Sequence, residues 1–466
     1  MENTRDMASR YAARAASLKY EDLSELEVLK AKQSILDVIG VMIAASTLGS
    51  KARILASNYI DEGGPEECMV LGYGKRIPLA HAAVANGGLA HTLDYDDAVD
   101  DGGVHPAAAS LPAALAICEK YHKTGRELLE AFVVGADTVA RMGNVNPKII
   151  NDAGWLGAHL KAMWGSAMAA GKAYGLDESG MLNCMGLTLQ QTAGSAQALN
   201  EGGNDCRELY EAFAAHAGTF AGELARMGIR GPKQVFEGKN GLFNNYFGGH
   251  PYYPEWLDVN EGSPWLHTMV GYKPWSSCRC THGFVDGIRT LMSENRFGLD
   301  EIAHVRCGVG AQGAMLCEPY ENRFTPTVGA DARYSIPFTV GITLVYGTLT
   351  LANFTDAGLR DPKIQRALAE KFEWYVDDEL VAEERGVDSA KVFITLTDGR
   401  EFFKKVSDPL GSVTNPMDDE AFYAKFRDCC SHAVAPIASS RVDRLIELCM
   451  HLEDVADVNE IVELCC

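Results

Sequence analysis

Apolar residues recur near the helical period through most of the first 265 residues. In 26–45 they fall at Leu26, Leu29, Ile35, Ile39 and Ile43, a spacing that predicts a helix. The segments 79–91, 107–121, 127–142, 160–174, 178–192 and 209–227 read the same way. Several are crowded with Ala and Gly (AAASLPAALA, GSAMAAGKA), which lets helix backbones approach closely and suits a helical bundle. No β-α-β alternation appears in this part. The pattern changes at 238–274, which is dense in Gly, Pro, Trp, Tyr and Asn and reads as irregular. Beyond it, 301–309 reads as a strand and 335–354 and 362–375 as helices. In 391–406, VFITLT and EFFKKV flank Asp398-Gly399, a favoured two-residue turn, so a hairpin is expected. Helical spacing returns at 418–431 and 439–452. The expectation is a mainly α chain with a large helical domain over 1–269, a smaller inserted α/β module over 270–410, and a C-terminal return over 411–466.

The 466 residues, 47% apolar and 23% charged, are those of an ordered globular chain. The longest apolar stretch, 35–45, is interrupted by Asp37 and Gly40, and MENTRDMASR has no apolar segment; neither a membrane span nor a signal peptide is expected. A net charge of −21 repels nucleic acid and anionic lipid, and both are set aside as partners. It does not exclude a small anion held by a local cluster of Arg and Lys. Thirteen cysteines, an odd number with no C-x-x-C spacing, point to free thiols and a cytoplasmic location.

Four motifs invite a chemical reading. Gly308-x-Gly310-x-x-Gly313 has dinucleotide-loop spacing, but Pro319 follows closely and no parallel β-α-β context surrounds it. Gly165 to Gly171-Lys172 is one residue too long for a phosphate loop and lacks its Ser/Thr. Cys278-Arg279-Cys280-Thr281-His282 offers metal ligands without a second ligand pair to complete a site. Asp94-Tyr95-Asp96-Asp97 lacks calcium-loop spacing and, on composition alone, reads as a solvated acidic loop.

That acidic loop opens a wider likeness. Asn86-Gly-Gly-Leu-Ala-His91-Thr-Leu-Asp94-Tyr-Asp96-Asp97, then His105-Pro106 before an Ala-rich helix, resembles the MmgE/PrpD family. The likeness continues in Ala214-Ala-His216-Ala-Gly218, Phe236-Glu-Gly238-x-x-Gly241-Leu-Phe243, Lys273-Pro-Trp-Ser-Ser-Cys278-Arg279-x-x-His282, Tyr320-Glu-Asn-Arg323 and Asp331-Ala-Arg-Tyr-Ser335. The family includes 2-methylcitrate dehydratase, cis-aconitate decarboxylase and iminodisuccinate epimerase. The resemblance implies a helical body with a smaller α/β lid, a homodimer, no metal or organic cofactor, and a small di- or tricarboxylate as substrate. It places acid–base and charge-stabilising roles on Asp94, His105, Lys273 and Tyr320, with Arg207, Cys278, Arg279 and His282 binding substrate.

Taking a proton α to a carboxylate builds charge on its oxygens, so cationic donors must already be aimed there, and a positioned base must take the proton. The chain departs from the family pattern in informative places. Ala98 replaces a Thr, the Asp94–His105 spacing is one residue longer, and Leu156 stands where Gly-Trp is usually followed by His. Arg207 and Tyr210 replace a Lys and a His. If the helix starts at Leu156, His159 lies about 300° and ~4.5 Å further on, and is expected to replace the missing imidazole. The reading is a hydro-lyase of the 2-methylcitrate dehydratase type. Its alternatives are an epimerase or isomerase, a decarboxylase, and a non-catalytic carboxylate-binding dimer.

Overall fold

The computed structural model describes residues 6–146, 153–201, 204–247, 249–260, 262–383 and 385–466. The chain is mainly helical and divides into two compact units. One, the helical unit, comprises Met1–Thr92, Asp96–Val270 and Phe422–Cys466; the other, the mixed unit, comprises Leu93–Tyr95 and Gly271–Ala421.

The helical unit contains α1 (Met7–Ser17), α2 (Glu25–Leu48), α3 (Ser50–Glu62), α4 (Leu79–His91), α5 (Pro106–Lys120), α6 (Gly125–Val145), α7 (Gly157–Ala173), α8 (Glu178–Leu189) and α9 (Cys206–Arg226). Two of them begin at reciprocal caps. Glu27 N donates to Ser24 Oγ while Ser24 N donates to the Glu27 carboxylate, and Thr124 and Glu127 repeat the arrangement. The helix expected from the Leu26 spacing is α2, but two of its expected apolar positions lie outside the core. Ile35, Ile39 and Ile43 are fully buried, whereas Leu26 and Leu29 are exposed. The antiparallel pair β1 (Cys68–Val70) and β2 (Lys75–Ile77) is this unit's two-stranded sheet. Among the described residues no single helix is long and apolar enough to cross a membrane.

Helix α7 packs against α5, α6, α8 and α9. Its small residues make this possible. A Cβ on Gly165 would lie 2.1 Å from Val139 Cγ2, and one on Gly218 would lie 2.5 Å from the backbone carbon of Ser166. The Gly165–Lys172 stretch is therefore helix-packing surface. Residues 422–466 complete the unit: Lys425 pairs with buried Asp37 of α2 at 2.6 Å, and Phe426 packs over Gly40.

In the mixed unit a four-stranded sheet has the order β4-β3-β5-β6, from β3 (Ile302–Val309), β4 (Phe372–Val376), β5 (Ala390–Leu396) and β6 (Glu401–Val406). β3 and β4 are parallel; β3–β5 and β5–β6 are antiparallel. α10 (Arg279–Asn295) covers β5 and β6 and packs on α11 (Ile336–Tyr346), which packs on α12 (Pro362–Lys371). Phe284, Ile288, Val305, Val392 and Ile394 form the core between helix and sheet.

Two expectations are corrected here. The helix expected over 362–375 ends at Lys371, because Phe-Glu-Trp-Tyr-Val is β-favouring and pairs with β3 as β4. The hairpin forms, yet Thr395 pairs with Glu401 and Leu396 N bonds Arg400 O, so its loop has three residues, Thr397, Asp398 and Gly399. Gly399 has φ 88°, the left-handed residue such a loop uses before its bulge.

The tight crossing at Gly218 yields a stability prediction. Gly218→Ala places a methyl against backbone that cannot rotate away and should cost about 1–3 kcal/mol. Gly298→Ala, where nothing lies within 4 Å, should cost less than about 1 kcal/mol. Thermal unfolding of the two variants should show a clear loss of Tm only in the first.

Candidate active-site clusters

Seven residues, 91–97, supply buried polar groups to both units. His91, Asp96 and Asp97 belong to the helical unit and Asp94 to the mixed unit. The solvated-loop expectation fails for this run: Asp94, Asp96 and Asp97 are all at most 3% exposed.

In the mixed unit, Asp94 adopts φ 48°, a left-handed conformation a non-glycine residue takes only when neighbours hold it. Its neighbours do so. Ser276 Oγ donates to Leu93 O at 2.6 Å, and Tyr95 OH donates to Pro274 O at 3.2 Å. Lys273, 1% exposed, donates Nζ–H to the Asp94 carbonyl at 3.1 Å and to its carboxylate Oδ1. A buried ammonium and a carboxylate thus meet in one ion pair.

Next along the chain, Cys278 is the cap residue of α10 and its amide donates to Arg333 O. A hydrogen bond from the Cys280 thiol lowers the Cys278 pKa against the effect of burial, and the Lys273 ammonium adds to the lowering. Arg279 is buried and donates to His282 Nδ1 at 3.0 Å and to the carbonyls of Leu410 and Pro409. Because arginine only donates, His282 Nδ1 is the acceptor, and its Nε2–H donates to Ser277 O at 3.1 Å. His282 and Arg279 thereby brace the loop before α10, and His282 has both ring nitrogens engaged. Tyr320 sits elsewhere: it is 57% exposed and stacks on Phe324 at 4.2 Å.

The glycine motif after β3 holds the chain's own carboxylate. Gly313 N donates to Asp388 Oδ2 at 2.9 Å, and a Cβ on Gly310 would strike that carboxylate. The space a phosphate would need is filled by Asp388.

In the helical unit, His91 ends α4 and His105 caps α5. Asp96 lies between them. His91 Nδ1 is 3.0 and 3.1 Å from its two oxygens, and His105 Nδ1 is 3.2 Å from Oδ2. His105 Nδ1 also lies 2.8 Å from Asp97 O. Burial alone would raise the Asp96 pKa; the two imidazoles outweigh it and hold the carboxyl well below its usual range. Asp97 behaves oppositely. Burial, then neighbouring Asp96 and Asp37, push it up to about 7 despite the Ala107 N–H bond to Oδ1. Glu211 on α9, which the sequence reading did not single out, is raised well above its ordinary value by burial and by Asp96 and Asp97.

His91 also packs against Tyr210 in a tilted contact, ring centres 4.5 Å apart, and His159 lies 6.1 Å from the same ring and 5.6 Å from Phe213. The helix that carries His159 starts at Gly157, so Leu156 is its extended cap and not part of the helix face. The shared-face argument for His159 therefore fails at its first residue, although the fold brings His159 into this cluster by way of α9. Burial lowers the His159 pKa to about 4, so at neutral pH its ring is uncharged. Arg207 occupies the first turn of α9, three residues before Tyr210.

His91, Asp96 and His105 have ligand atoms close enough together to surround a metal ion. The bond from His105 Nδ1 to Asp97 O fits a hydrogen-bonded cluster better, because a metal on Nδ1 would displace that proton. What both clusters offer is placed charge and proton-transfer groups: an ammonium against a carboxylate in one unit, imidazoles against a carboxylate in the other.

Comparison with known proteins gives matches along nearly the whole chain. The MmgE/PrpD N-terminal domain model matches residues 9–255 and the C-terminal domain model residues 275–452. A cis-aconitate decarboxylase of Aspergillus terreus is 26% identical over 97% of this chain and 94% of its own length. A cis-aconitate decarboxylase-like protein of Aspergillus oryzae is 28% identical over 96% and 94%. The human cis-aconitate decarboxylase is 25% identical over 97% and 93%.

Asp97 makes stability depend on pH in a definite direction. Its folded pKa, about 7, lies above that of an unfolded aspartate, so its contribution is complete below the unfolded value and is lost as pH rises through 7. Asp97→Asn keeps the acceptor for Ala107 N and cannot ionise. Between pH 5.5 and 8.5 the wild type should lose about 2–4 °C more in Tm than this variant. Parallel Tm curves would show that Asp97 does not titrate in this range.

Proposed function

The chain belongs to the MmgE/PrpD family, and from that premise we propose that it is a lyase that breaks a bond α to a carboxylate of a small tricarboxylate, without a metal or organic cofactor. The observation that carries the proposal is Lys273, an ammonium buried beside Asp94 in a chain of net charge −21. A fixed cation of this kind stabilises charge developing on carboxylate oxygens, and its setting out of water strengthens the effect.

Decarboxylation of a cis-aconitate-like acid is the first reaction to assay. It consumes one proton, releases CO2 and leaves a five-carbon unsaturated diacid; no hydroxyl departs. The relatives' names favour this choice. His159, whose ring is uncharged at neutral pH, is poorly suited to supply the proton in either decarboxylation or dehydration. Dehydration of a 2-methylcitrate-like acid is the second reading, with epimerisation, which needs no leaving-group acid, beside it.

Incubation with cis-aconitate, 2-methylcitrate and related acids in deuterated water, followed by NMR, tests the proposal. The expected result is a CO2-coupled product from cis-aconitate with deuterium at carbon. Binding of these acids with neither turnover nor deuterium exchange would contradict it and favour a carboxylate-binding protein. Lys273→Met should lower kcat/KM by about 10²–10³-fold through both kcat and KM. His159→Gln, in contrast, should leave the rate of decarboxylation within about threefold, since an uncharged ring has little proton to give.

A further inference from the structure

We propose that Asp96 is a positioning residue: its one buried carboxylate faces Nδ1 of both His91 and His105, fixes His91 as the Nδ1–H tautomer, joins Asp97 O in fixing His105 the same way, and leaves Nε2 of His105 as the nitrogen that exchanges a proton with substrate. The proton's destination rests on the functional reading above; the tautomer assignment does not.

The geometry decides the tautomer at His105. Its Nδ1 faces two oxygens, Asp97 O at 2.8 Å and Asp96 Oδ2 at 3.2 Å. A carbonyl and a carboxylate are both acceptors, so the nitrogen between them must carry hydrogen. The same logic holds for His91, whose Nδ1 lies within 3.1 Å of both carboxylate oxygens. Asp96 is fully buried, so no solvent competes for its oxygens.

The two rings are not equivalent. His105 is 15% exposed at its side chain, whereas His91 is 2% exposed and lies between His105 at 4.6 Å and Tyr210 at 4.5 Å. His105 is therefore the ring that can meet a ligand, and His91 is the clamp that holds Asp96 in place. The other carboxyls near Asp96 are Asp97 and Glu211, both buried and both pushed towards the protonated form. Asp96 supplies the negative charge that stabilises an imidazolium when His105 takes a proton, and returns the ring to the same orientation when the proton leaves.

Long-range ¹H–¹⁵N NMR of the histidine-labelled protein reads ring tautomers directly, with His91→Gln and His105→Gln used for assignment. Both rings should appear as Nδ1–H in the wild type; Asp96→Asn should redistribute His91 towards Nε2–H, while His105, whose Nδ1–H still bonds Asp97 O, should stay Nδ1–H and lose only its counter-charge. In kinetics, Asp96→Asn should lower kcat by about 10²–10⁴-fold with KM within about threefold. The limb of its pH–rate profile that reports His105, the alkaline limb if the ring gives its proton to carbon in decarboxylation, should move to lower pH, because an imidazolium without its carboxylate is less stable. Asp96→Glu, which restores the charge at a longer reach, should recover part of kcat and supplies a second test if Asp96→Asn folds poorly. Nε2–H rings in the wild type, an Asp96→Asn enzyme with kcat within threefold, or a stoichiometric divalent metal lost in that variant would each overturn the proposal. If no carboxylate is turned over, the functional reading fails and the wild-type tautomers still decide this one.

Discussion

A buried ammonium needs a counter-charge, and for Lys273 that charge is Asp94. At an effective dielectric constant near 20, two charges 4 Å apart attract by roughly 4 kcal/mol, while one left alone in the interior costs about 3–5 kcal/mol. Meeting this demand shapes the chain locally. Leu93–Tyr95 belongs to the mixed unit, Asp94 accepts a left-handed backbone, and the bonds from Ser276 to Leu93 and from Tyr95 to Pro274 hold the segment within that unit. The strained φ of Asp94 is held by these bonds, and it marks a residue whose carboxylate has been placed.

The same economy of charge governs the acidic run as a whole. Three aspartates within four residues are buried, and each has a different solution. Asp94 is paired with an ammonium, Asp96 is held ionised between imidazoles, and Asp97 is driven towards its neutral form. Environments that push neighbouring carboxyl groups apart in pKa divide them between charge and proton storage. A chain with a strongly negative far field can in this way keep specific positive or proton-bearing groups for an anionic ligand.

Much of this was legible in the sequence, for local reasons. Helix periodicity located α4 to its end residues, and the β-branched and aromatic flanks of Asp398-Gly399 marked the hairpin. Reading failed where one local signal ran into another: the helical spacing of α12 continues into Phe372–Val376, and only pairing with β3 makes that segment a strand. At the clusters, the family resemblance brought Asp94, His105 and Lys273 to notice. It could not distinguish Asp96 from Asp97, or mark Glu211, because their roles depend on partners from other helices. The internal use of Arg279 and His282 was equally hidden, since the carbonyls of Pro409 and Leu410 lie far away in sequence.

On this reading, side-chain charge and protonation, set by burial, supply the chemistry. Metal analysis of the purified chain before and after exhaustive chelation, with cis-aconitate turnover measured on both samples, tests it most directly. The account predicts unchanged turnover in protein stripped of metal. Activity that disappears on chelation and returns with a stoichiometric divalent ion would contradict it, and would make His91, Asp96 and His105 ligands of that ion.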